Sequence, residues 1–186
     1  GRVQINAVPD KVEALELYFQ WKPFLTAPAY AFQVGAFKKP FGYQEFVLSS
    51  SNLNLIDRTR TNSFMEKNLE ATAYDVGVMG SADLREYGIP VTIHAGVFNG
   101  AGKGMKSDSN SGKQVVARVE GVPLTGLTLG GSGVVDRVGP KDGAESYMVW
   151  GGDARFEKSG FLVAVEAMGG DNYEGMMSAP VADVPS

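Results

Sequence analysis

The chain has 186 residues, a net charge of −4 and a pI near 5.1. It is long enough for one domain with a real core and lacks the basic bias of a duplex-binding protein, so nucleic acid is not an expected partner. With no cysteine, disulfide and thiolate chemistry are excluded, and no apolar run reaches the ~18 residues of a membrane helix.

Glycine is frequent at 24 residues and aromatics make up 10%. With many short alternating stretches, this points to an all-β protein. The opening "GRVQINAV" is not a signal peptide, so such a segment has been removed or the chain is a fragment. In "VEALELYFQWK" (12–22), Leu15, Leu17, Phe19 and Trp21 form an oily face opposite Ala14, Glu16, Tyr18, Gln20 and Lys22. That period of two predicts a half-buried strand. Residues 30–37 repeat it, with Tyr30, Phe32, Val34 and Ala36 opposite Ala31, Gln33, Gly35 and Phe37.

Further along, Tyr74, Val76 and Val78 oppose Asp75, Gly77 and Met79. Val91, Ile93, Ala95 and Val97 oppose Thr92, His94, Gly96 and Phe98. Val115, Ala117 and Val119 oppose Val116, Arg118 and Glu120, and Leu127 and Leu129 oppose Thr128 and Gly130. "AESYMVWGGDARFE" and "GFLVAVEAM" make a last pair around the turn "EKSG". The total is about eight strands.

The connections alternate in length. "PFLTAPA", "GVPLTG" and "EKSG" are short and "SADLREYGIP" is intermediate, whereas Lys38–Thr72, Asn99–Lys113 and Val135–Ala144 are long. Transmembrane barrels show this parity, with short periplasmic turns and longer outer loops. Strands of about 8–12 residues suit a tilted membrane strand. Tyr18, Phe19 and Trp21, then Tyr30 and Phe32, supply interfacial aromatics. The polar faces carry Glu16, Gln20, Gln33, Asp75, His94, Arg118, Glu120 and Glu166. An apolar core would not accept these charges unpaired, but a wet lumen does. The ending "MMSAPVADVPS" has no strand pattern. With the size of the Lys38–Thr72 loop, it predicts that the chain is part of a larger barrel. Residues 1–186 read as a single barrel segment with no repeat or linker.

"FQVGAFKKPFG", the loop "SSSNLNLIDRTRTNSFMEKN", "YDVGVMG", "GVFNGAG" and "KQVVARVEGVPL" follow one another in an order that resembles the phosphate-selective porin O and P family of outer-membrane proteins. The resemblance spans residues 15–153. It implies a trimeric porin of about sixteen strands, this chain covering about half of the barrel, with residues 38–72 as the constriction loop folded into the channel. It also implies arginines and lysines that lead anions through. The family often has an arginine just before the D-[IV]-G-V strand, where this chain has Thr72, Ala73 and Tyr74.

The candidate pore residues are Lys38, Lys39, Arg58, Arg60 and Arg118. Cations in a narrow, low-dielectric pore select anions, and arginine binds phosphate oxygens in bidentate fashion. The competing reading is local pairing: Arg58 with Asp57, Lys67 with Glu66 or Glu70, and Arg118 with Glu120. His94, the one histidine, reads as a hydrogen-bonded lumen residue, since no second histidine shares a metal. "GAGKGMKS" lacks the Ser or Thr that a phosphate loop places after Lys103. "SDSNSG" lacks the closing glutamate of a calcium loop. Glu66 and Glu70 have no nucleophile beside them, and the serines from Ser49 onward read as loop polarity, so no enzyme and no cofactor are expected. The expected function is an outer-membrane porin of bacteria passing small hydrophilic solutes, with phosphate and other anions as candidates and outer-membrane lipid and two further copies as partners. The alternative is a structural or binding barrel in a larger surface assembly.

Overall fold

A computed structural model describes residues 2–8, 11–23, 29–47, 74–100, 113–138 and 145–171. Among the described residues nine strands run in chain order: β1 (Arg2–Val8), β2 (Lys11–Trp21), β3 (Tyr30–Lys38), β4 (Tyr74–Asp83), β5 (Val91–Phe98), β6 (Gln114–Leu124), β7 (Leu127–Val138), β8 (Glu145–Lys158) and β9 (Phe161–Asp171). Each pairs antiparallel with its sequence neighbours, giving one sheet in the order β1 to β9. Among the described residues no pairing joins β9 to β1, so the sheet is open. A π-helical turn (Gly42–Val47) follows β3, and a 3-10 turn (Leu84–Tyr87) follows β4.

Eight of these strands match the eight alternating stretches. β1 is additional: "RVQINAV" pairs with β2 from Arg2↔Tyr18 to Val8↔Lys11. The connections 22–29, 84–90, 125–126 and 159–160 share one end of the sheet; 39–73, 99–113 and 139–144 share the other. The expected length parity holds only in part: link 9–10 also joins strands at that second end, and 139–144 there is no longer than 22–29 or 84–90 at the first. The expected long connection Val135–Ala144 is a correction. β7 continues through Val138, since Val135, Asp136, Arg137 and Val138 pair with Met148, Tyr147, Ser146 and Glu145.

The register sorts β2–β9 into two faces, because alternate residues point to opposite sides. One row runs Trp21, Phe32, Gly80, Ala95, Ala117, Gly133, Trp150, Gly169 across the sheet. Through the middle of the strands the residues of this face are Val, Leu, Ile, Phe, Trp, Met, Ala or Gly and none is charged; Lys38, Arg137, Ser146, Lys158 and Asp171 fall on it only at strand ends. It is nonetheless the exposed face: Phe19 is 62% exposed and Val165 64%. The opposite face is buried and holds Glu16, Asp75, Gln114, Arg118, Ser132, Asp136 and Asp153. The sheet curls so that this charged face is concave, as the turn Gly42–Val47 touches residues of β5, β7 and β9 from that side.

Alternation correctly divides the two faces, with one correction. Tyr18, expected among the interfacial aromatics, points inward and meets Phe37 edge-on at 5.9 Å. At the short-turn end the aromatic contacts are Trp21 with Phe32 at 6.1 Å and Tyr30 with Tyr87 at 6.3 Å. The concave face is also not polar throughout. Phe37, Phe41, Met79, Phe98, Val116, Val134, Tyr147 and Val149 form a buried apolar cluster among its charges. It forms because the chain after β3 folds inward and Phe41, fully buried, covers these side chains. Among the described residues no helix is long and apolar enough to cross a membrane.

Candidate functional site

The concave face presents a cavity of about 630 Å³. Its walls include Glu16, Tyr18, Gln20 and Gln33 from β2 and β3, Ser81 and His94 from β4 and β5, and Arg118 and Glu120 from β6. Lys38, Phe46 and Tyr74 border it where β3 ends and β4 begins. Strand pairing sets these neighbours: Ser81 lies opposite His94, and His94 opposite Arg118.

Arg118 is the hub of the buried charge. Its Nη1 donates to Asp153 Oδ2 at 2.7 Å and to Ser132 Oγ at 2.9 Å. Its Nη2 donates to Asp153 Oδ1 at 3.0 Å and Glu120 Oε2 at 3.1 Å. The pair with Glu120 expected from sequence is therefore present, but the principal partner is Asp153, two strands away. Gly130 opens the path between them: a Cβ there would overlap both Arg118 Nη2 and Asp153 Oδ2. Arg155 joins through an ion pair to Glu120 Oε2 at 2.5 Å and stacks over the Tyr43 ring at 4.6 Å. Such a bidentate, charge-assisted pair is strong only with its geometry intact.

A second buried knot sits at the long-connection end. Lys39 Nζ lies 3.7 Å from Asp75 Oδ2, both side chains essentially sealed from solvent. Asp75 also accepts from Val76 N–H at 2.7 Å and Gly100 N–H at 2.8 Å. Beside it, Asp136 Oδ2 accepts from Gln114 Nε2 at 2.8 Å and Tyr147 O–H at 3.0 Å.

The structure describes three of the five candidate pore residues, Lys38, Lys39 and Arg118. Arg118 and Lys39 are buried and committed to carboxylates. Lys38 is at the cavity's border, its Nζ 5.5 Å from the centre of the Tyr74 ring. Arg58 and Arg60 lie outside the described residues, as do Asp57, Glu66, Lys67, Glu70, the "SSSN" run and nearly all of "GAGKGMKS" and "SDSNSG". His94 is on the inward face, with Nδ1 2.9 Å from Ser81 Oγ and its ring 5.0 Å from that of Phe46. Among the described residues no three His, Asp or Glu side chains converge as metal ligands. At the short-turn rim, Asp83 accepts from Arg85 Nε and Nη2 at 2.8 and 2.6 Å, and this hydrogen bonding raises the Arg85 guanidinium above its ordinary pKa.

Sequence reasoning missed Asp153, Ser132, Arg155 and the Phe41–Tyr43 segment as members of the site. The inward parity of Asp153 and Arg155 on β8 was the available signal. Comparison with protein-family models, curated proteins and solved structures finds no match.

Proposed function

We propose that this chain forms part of a β-barrel porin of the bacterial outer membrane and passes small hydrophilic solutes down their gradient. One observation carries the reading: the sheet is inside-out for a water-soluble protein. The middle of its convex face is uncharged and exposed from Leu17 to Val165, while the concave face buries Arg118, Asp153, Asp75 and Glu16. Water penalises a continuous apolar surface of this extent; a bilayer matches it, and a lumen suits the charged side. The open edges of β1 and β9 fit a larger barrel, whose closure removes unpaired edges. A homotrimer and a phosphate preference belong to the same proposal through the family resemblance.

Lys39 and Arg118 pair with Asp75 and Asp153, so the proposed anion preference does not rest on those two cations. The apolar cluster under Phe41 favours one second reading, a structural barrel whose interior is packed at that level. Conductance separates the two. In a planar bilayer under a salt gradient, the porin reading expects stepwise current with a reversal potential set by the anion, reduced by added phosphate. A cation-selective current would remove the anion preference and keep the porin. Absence of current from folded protein would overturn the porin in favour of the structural barrel.

A further inference from the structure

Resting on the porin reading, we infer that Glu166, on β9, is a positioning residue that holds the turn Gly42–Val47 against the far wall and so sets the free width of the lumen. The first N–H groups of a helical turn have no partner within it, and burying them unpaired is costly. Here two strands supply the acceptors. Gly42 N–H donates to Ser132 Oγ at 3.1 Å, across 90 residues of sequence. Tyr43 N–H donates to Glu166 Oε1 at 2.6 Å, across 123 residues. The second is short, as expected for a carboxylate acceptor.

The backbone is shaped to this contact. Gly42 has φ +72°, a conformation that glycine adopts without strain. A Cβ on it would stand 2.7 Å from Glu166 Oε1 and 3.1 Å from Met168 Cε, so a side chain there would push the carboxylate from its place beside the next N–H. The Arg155 guanidinium covers the other side of Tyr43. Phe41 fits where Gly151 has no side chain: a Cβ there would be 3.3 Å from Phe41 Cζ. The segment thus crosses the concave face from the end of β3 to β8 and β9, and Phe46 reaches back to His94 on β5. Without the Glu166 acceptor, the Tyr43 N–H is left unpaired unless the turn moves off the wall.

Three variants of the full protein, each checked for strand content by circular dichroism, test this in planar bilayers. Glu166→Ala removes the acceptor and is expected to raise or destabilise the unitary conductance. Glu166→Gln keeps a side-chain oxygen acceptor and is expected to restore the wild-type value, which a purely electrostatic role for the carboxylate would not allow. Gly42→Ala displaces the turn from the same carboxylate without touching β9 and is expected to reproduce Glu166→Ala. Wild-type conductance in both Glu166→Ala and Gly42→Ala would overturn the inference. If the wild type itself does not conduct, the porin reading fails, and amide exchange at Gly42 and Tyr43 decides the latch separately. Protection lost in Glu166→Ala supports it; protection unchanged overturns it.

Discussion

Arg118→Ala is expected to destabilise the protein by about 3–5 kcal/mol, the usual effect of removing one partner from a buried ion pair. Asp153, its side chain 1% exposed, would lose its two guanidinium hydrogen bonds and the facing charge. Arg155, with its Nε 3.9 Å from Asp153 Oδ1 and its Nη2 on Glu120, would be the cation left beside Asp153 and makes no hydrogen bond to it. The double variant Arg118→Met, Asp153→Leu removes both charges and should recover much of the loss, since apolar replacement of a whole buried pair is often close to neutral. Arg85→Ala is the internal control. Its pair with Asp83 is 59% and 33% exposed, so it should cost at most about 1 kcal/mol. Denaturant midpoints of protein refolded in detergent or lipid measure all three. Equal effects for Arg118→Ala and Arg85→Ala would show that Arg118 is solvated and free to serve a solute.

Val119→Arg separates a lipid-facing surface from a water-facing one. Val119 is 48% exposed, in the middle of β6, between Ile93 and Gly131 of the adjacent strands. On a water-exposed face, an arginine there should change stability by no more than about 0.5 kcal/mol. Facing the bilayer interior, it should cost about 2–4 kcal/mol. Unfolding in lipid vesicles is therefore expected to show the larger value. A loss confined to the water-exposed range would place Val119 in water.

Much of this was legible because strand alternation is a local property. The pairs Leu17 and Glu16, Val97 and Phe98, and Val119 and Arg118 each disclose their two faces within a few residues. Strand β1 is not legible in the sequence, since seven residues of "RVQINAV" carry little pattern on their own and owe their place to pairing with β2. The Arg118–Asp153 pair was hidden for a different reason. It requires the registers of two successive strand pairs together with a missing side chain at Gly130. Similarly, "KKPFG" reads as a basic, aromatic corner, and only tertiary structure shows that Lys39 turns into Asp75 and that Phe41 seals an apolar cluster. Charge type was legible; charge availability was not, because it depends on partners far away in sequence.

The most direct test of the central claim uses the two tryptophans of the chain. Trp21 and Trp150 are 57% and 50% exposed, both on the convex face, one at the short-turn end of β2 and the other within β8. Protein reconstituted into vesicles of acyl-chain-brominated phosphatidylcholine should show strong quenching of its tryptophan fluorescence, with little added by aqueous iodide. Emission quenched by iodide and insensitive to the brominated chains would put the apolar face in water or against protein, and would contradict the membrane-barrel account.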